Sequence, residues 1–168
     1  MRVSLIAVAW TLIGLAPAVA GTTPEEAEAN FMRPYNNGLT ALDIFSQEQG
    51  CAGEGAMRVN ETVAELKKQA DLLHRVSTGS SIPTLLDKAN RSKDHHTEIA
   101  FSFADKAKNK RCLDIADQQY RDLIDMYVGS AYSGIRDRAK IGIDDVREAR
   151  RNQVSEPAPL VADSKKKK

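Results

Sequence analysis

The chain is poor in the residues that build most catalytic and metal centres. It holds two cysteines and three histidines among 168 residues, with no Cys-x-x-Cys pair, which excludes a zinc module of the finger type and a thioredoxin-like redox motif. Neither a Walker loop nor a Gly-x-Gly-x-x-Gly fingerprint occurs, so no phosphate-cradling segment of the nucleotide-binding kind is present and no cofactor is expected. Ser80 and Ser81 follow Gly79 in a turn-like stretch without the frame of a nucleophile elbow. Charge of one sign is missing as well. Lys and Arg number 24 against 23 Asp and Glu, a net charge of +1, whereas a nucleic-acid-binding body carries a basic excess, so no nucleic-acid partner is expected. Aromatic residues make up only 5% of the chain, and its single tryptophan is Trp10. What remains is rich in Ala, Leu, Glu, Lys and Arg and short of β-branched runs, a composition that favours helices over strands.

Residues 1–20 have the grammar of a cleaved signal peptide. Arg2 supplies the positive start, Val3 to Leu15 an uncharged apolar run, and Ala18-Val19-Ala20 the small residues of a cleavage site. The apolar run falls short of the roughly 20 residues that a membrane span needs, and Pro17 interrupts its end. The expected mature chain starts at Gly21 and is exported, to a bacterial periplasm or, alternatively, as a secreted protein. Residues 21–152 read as one helical domain, and residues 153–168, ending in Lys165, Lys166, Lys167 and Lys168, as a disordered tail.

Within the domain, apolar residues recur at helical spacing. Thr23-Pro24-Glu25-Glu26 forms a helix start, followed by the stripe Phe31, Tyr35, Leu39, Leu42 and Phe45. Pro34 and Gly38 lie inside that stripe and predict a kink or short break near Tyr35 to Gly38. The glycines of Gly50 to Gly55 mark a loop, with the next helix starting near Ala56 and carrying the seam Val59, Val63, Leu66, Ala70, Leu73 and Ser77. Ser81-Ile82-Pro83 opens a further helix with a serine cap. Asn90 to Asp94 is either a loop or a solvated turn of one long helix. Ile99 to Ala107, Ile115 to Tyr127 and Tyr132 to Val146 carry the later stripes, with Gly129 closing the penultimate helix. The fold class expected is all-α: a five- to six-helix antiparallel bundle or a short helical solenoid.

Two cysteines in an exported chain favour one disulfide. In an up-and-down bundle the first and third connections share an end. With Ile82 to Ala107 counted as one traverse, Cys51 and Cys112 fall at the same end and would close a loop of roughly 60 residues, which contributes about 3–4 kcal/mol. A tight reversal at Asn90 to Asp94 would break that parity.

From Thr97 to Ser130, Ala100, Phe103, Ala104 and Ala107 alternate small and large residues on one helix, and Leu113, Ala116, Tyr120 and Leu123 do so on the next. This segment resembles one tetratricopeptide repeat (TPR), and the stretch Tyr120 to Tyr132 is similar to repeats of bacterial envelope proteins, with Val128 where those carry proline. The resemblance covers about one repeat and the helix after it. It implies a protein or peptide partner in the cell envelope, held in a groove between helices by a binding or scaffold protein. The candidate partner-binding residues are Tyr127, Tyr132, Arg136 and Asp137 around the last hairpin, and Asn36 and Asn37 beside the expected break. Two alternatives compete. Asp94, His95, His96 and Glu98 form the one cluster with metal-ligand potential, which points to a metal-dependent or enzyme-like bundle; otherwise they are a solvated helix start capped by Asp94. The four terminal lysines would give weak contact with an anionic surface, the basis of an envelope-tethered alternative.

Overall fold

The structure, a computed structural model, describes residues 23–155; the expected signal segment and the lysines of the tail lie outside them. Five α-helices follow one another: α1 (Pro24–Gln47), α2 (Glu54–Ser77), α3 (Pro83–Asn109), α4 (Leu113–Met126) and, after a 3₁₀ turn at Ser130–Tyr132, α5 (Ser133–Ser155). No strand occurs among the described residues, so the fold is an all-α bundle. None of these helices is long and apolar enough to cross a membrane.

Helix α1 starts as its sequence dictates. Thr23 Oγ1 accepts from the Glu26 amide while Glu26 answers with its carboxylate on the Thr23 amide, a capping box that satisfies two otherwise orphaned donors. The expected break at Tyr35 to Gly38 does not form: α1 runs through both Pro34 and Gly38. Pro34 is buried, and in the turn that its ring disturbs the Phe31 carbonyl accepts from Gln69 Nε2 on α2 at 3.4 Å. Gly38 marks a close approach, since a Cβ there would lie 3.1 Å from both Ile99 and Thr62.

The glycine loop is two residues shorter than expected, because α2 begins at Glu54 with Gly53 as its cap. Gly55 sits against the backbone of Phe45, and its amide donates to Glu48 Oε1 at 2.7 Å. All six residues of the predicted α2 seam are buried. The start of α3 differs from expectation: Ile82, not Ser81, is the cap residue, and no side chain caps it. Asn90 to Asp94 lie in mid-helix, so α3 is one continuous traverse and Asp94 caps nothing. Of these five polar residues Asn90 and Asp94 are exposed, Arg91 and Lys93 half-buried and Ser92 buried.

Helix α3 is the spine. It packs against α1, α2, α4 and α5, so that α1–α2–α3 and α3–α4–α5 are two three-helix units sharing one member. The second unit is tied by Tyr120, whose ring lies against the bare Cα of Gly142 and whose hydroxyl donates to Asp105. Arg138 reaches Asp105 at 3.2 Å and covers the Phe101 ring. Helix α4 ends at Met126 with Tyr127 as its cap, so Gly129 does not close it as expected; it stands before the 3₁₀ turn with φ 104°, a conformation open to glycine. Helix α5 continues to Ser155, past the expected domain limit at 152. Because α3 is unbroken, both cysteines lie at one end, and Cys51 and Cys112 are joined with Cα atoms 5.5 Å apart.

Candidate functional site

Helices α2 and α4 both pack on α3, but no Cα of one comes within 8 Å of the other. The result is a groove with α3 as its floor. Its inner lobe is a cavity of about 220 Å³ lined by Asn60, Val63, Ala64 and Lys67 of α2, His96 and Ala100 of α3, and Gln119, Asp122 and Leu123 of α4. It continues past Ala64 and Lys67 into an open lobe of about 540 Å³ between Lys68 and Asp71 on one wall and Asp125 and Met126 on the other. Gln119 Nε2 donates to Asn60 Oδ1 across one end at 3.2 Å. Beyond the other end, the Tyr132 hydroxyl lies 3.3 Å from His74 Nδ1. From Asn60 to Asp71 the α2 wall runs about 16 Å at the rise of an α-helix, the length of roughly five residues of extended chain.

The groove is polar at one floor position and one α4 position where the helix pattern calls for apolar residues. His96 is 2% exposed and Gln119 is 8% exposed. Burial first, and Lys67 second, hold the His96 imidazole down to about 4, so it is neutral near pH 7. Tyr127 Oη lies 2.9 Å from His96 Nδ1, and burial raises the phenol above its ordinary range. A neutral imidazole has one donor and one acceptor. Phenol is the better donor and an imidazole nitrogen the better acceptor, which assigns the Tyr127 proton to His96 Nδ1 and the ring proton to Nε2. His96 Nε2 and Gln119 Oε1 are buried and have no hydrogen-bond partner among the described residues.

Of the residues singled out from the sequence, Tyr127 and Tyr132 lie near one end of this groove without lining either lobe, with ring centroids 5.4 Å apart. Tyr127 is buried, and its hydroxyl meets His96 rather than the cleft. The other candidates lie elsewhere. Asn36 and Asn37 are exposed on α1, Asp137 is exposed on α5 and pairs with Lys140 at 3.1 Å, and Arg136 is half-buried on the same helix; none of the four lines the groove.

The cluster Asp94, His95, His96 and Glu98 is split by the helix it occupies. His95 and Glu98 face α1, where His95 stacks on Tyr35 with centroids 4.3 Å apart and Glu98 accepts from the Tyr35 hydroxyl at 2.9 Å. His96 turns toward α2 and α4, and Asp94 lies exposed beside Lys93. Among the described residues no three His, Cys, Asp or Glu side chains converge as a metal site. Adjacent helical residues point about 100° apart, which is why neighbours in sequence fail to meet in space.

The groove residues Asn60, Ala64, Lys67, Gln119 and Asp122 were not picked out by sequence reasoning. One signal was available: Gln119 falls between Ala116, Tyr120 and Leu123 in the α4 stripe, and His96 falls one turn before Ala100. A polar residue at an apolar register position is either a satisfied core group or part of a site. Comparison with protein-family models, curated proteins and solved structures gave no match.

Proposed function

We propose that this is an exported helical binding or scaffold protein that engages an extended peptide, or an extended segment of a protein partner, in the groove between α2 and α4. The observation that carries the proposal is the separation of two helices that share a floor, leaving a cleft of about five residues' length between them. The inner cavity is below the range of roughly 300–1,000 Å³ that holds drug-sized ligands and cofactors, and the lobe of about 540 Å³ beyond it lies open to solvent, which favours one residue of a longer segment over an enclosed small molecule.

The order of the helices supports a TPR-like stack. The first, third and fifth helices pack consecutively while α2 and α4 stay apart, as in stacked helical hairpins whose alternate members form a continuous layer. Export is supported by the composition of residues 1–20 and by the pairing of Cys51 with Cys112, a linkage that persists in oxidising compartments.

The test is selection of displayed random peptides on the oxidised protein, repeated on Ala64→Trp, which fills the point that both lobes share. Peptides that bind the first and lose the second support the groove. Peptides retained equally by both would refute it. Intact mass of the exported protein checks localisation: a chain starting at Gly21 and lacking both thiol hydrogens is expected, and an uncleaved, fully reduced chain would contradict export.

A further inference from the structure

Each wall of the groove is one face of a helix. Ala64, Lys67, Lys68 and Asp71 stand at i, i+3, i+4 and i+7 on α2, and Gln119, Asp122, Leu123 and Met126 repeat that spacing on α4, with Asp125 beside them. Charge divides between the two faces by sign. Asp71 forms an ion pair with Arg75 one turn on, at 2.7 Å, which leaves Lys67 and Lys68 as the net charge of the α2 wall. On the α4 wall Asp122 accepts from the neutral amide of Gln118 at 2.9 Å, so the charge there is that of Asp122 and Asp125.

Lys67, Lys68 and Asp125 are exposed and Asp122 is half-buried, and none of the four enters an ion pair among the described residues. The two rows stand apart, on helices whose Cα atoms come no closer than 8 Å. Across the cleft Asn60 and Gln119, both neutral, share a hydrogen bond. A segment of one sign laid between the walls is attracted by one and repelled by the other. A segment of both signs, with acid toward α2 and base toward α4, is attracted by both. Successive side chains of an extended chain point in opposite directions, so a single segment can serve the two walls.

We propose that the groove selects a segment bearing both signs of charge, an acidic side chain set against Lys67 and Lys68 and a basic one against Asp122 and Asp125. This rests on the groove assignment above and adds the chemistry of its occupant. The four charged residues determine specificity, while Val63, Ala64 and Leu123 between them supply apolar contact.

The experiment selects displayed random hexapeptides on the oxidised protein at low ionic strength and repeats the selection on two charge-reversed variants. The wild-type protein is expected to enrich peptides that carry both Asp or Glu and Lys or Arg. Lys67→Glu/Lys68→Glu makes both walls acidic and is expected to enrich basic peptides; Asp122→Lys/Asp125→Lys makes both basic and is expected to enrich acidic ones. A two-sign peptide from the first selection should bind either variant about tenfold more weakly, the effect of losing two exposed ion pairs and gaining repulsion, and the difference should shrink in about 1 M salt. Peptides of the same charge composition from all three proteins overturn the proposal, and if those peptides are still lost on Ala64→Trp the groove itself stands. Enrichment of one sign by the wild-type protein also overturns it. If no peptide distinguishes the wild-type protein from Ala64→Trp, the groove assignment fails first and the proposal with it.

Discussion

Gly142 and Gly134 lie in the same helix and respond oppositely to an added methyl group. A Cβ on Gly142 would sit 2.4 Å from the Tyr120 ring, whereas one on Gly134 meets nothing. Alanine is favoured over glycine inside a helix by about 1 kcal/mol, but overpacking a core contact costs about 1–3 kcal/mol. Gly142→Ala is therefore expected to lower stability in urea unfolding, and Gly134→Ala to raise it by up to about 1 kcal/mol. Equal effects would mean that α5 does not seat on Tyr120. His96 sets a pH dependence with a definite sign. Its pKa falls from 6.5 to about 4 on folding, so between those values the unfolded chain binds a proton that the folded one refuses. The stability from this group is present above pH 6.5 and is lost as pH falls toward 4, by at most about 3 kcal/mol. Burial lowers the His95 pKa too and adds in the same direction. His96→Gln is expected to flatten the fall measured by thermal unfolding at pH 7 and pH 4.

Helices α1 and α3 show where residue preference and helix register part company. Pro34 and Gly38 predict a break because each opposes helix on its own. In place they lie on the buried face, Gly38 where α2 and α3 come nearest and Pro34 beside the Gln69 contact, so packing of one long stripe outweighs the local cost. The stripe Phe31, Leu42 and Phe45 was legible; the reason for the glycine was not, because it lies in Ile99 and Thr62, which are distant in sequence. Leu39, counted in the stripe, is 39% exposed. In α3, Asn90 to Asp94 read equally as loop or helix, since five polar residues lack the apolar period that separates the two. Arg91 settles them as a turn of helix by bridging Asp87 one turn back and Glu28 on α1. Asn90 is exposed in mid-helix, so Asn90→Ala should stabilise by about 0.5 kcal/mol and Asn90→Pro cost about 3 kcal/mol or more. A loop would tolerate both, and chemical unfolding of the two variants distinguishes the cases.

At the scale of the whole molecule, one continuous α3 gives the parity that joins the first and third connections and also provides the floor on which α2 and α4 stand apart. The all-helical class and the pairing of Cys51 with Cys112 could be inferred because each depends on periodicity and on counting traverses. The groove could not: a gap between two helices is a property of how three helices pack, and its residues carry no motif. Since the bridge spans 61 positions, Cys112→Ser is expected to lose about 3–4 kcal/mol relative to the oxidised protein, measured by urea unfolding. The groove itself is tested most directly by mapping amide chemical-shift changes on the labelled, oxidised protein as a display-selected peptide is titrated. The prediction is that shifts concentrate at Val63, Ala64, Lys67, Gln119 and Leu123 and extend along α2 toward His74. Shifts confined to Asn36, Asn37, Arg136 and Asp137, with the α2–α4 cleft silent, would contradict the account and move the binding surface to the exposed faces of α1 and α5.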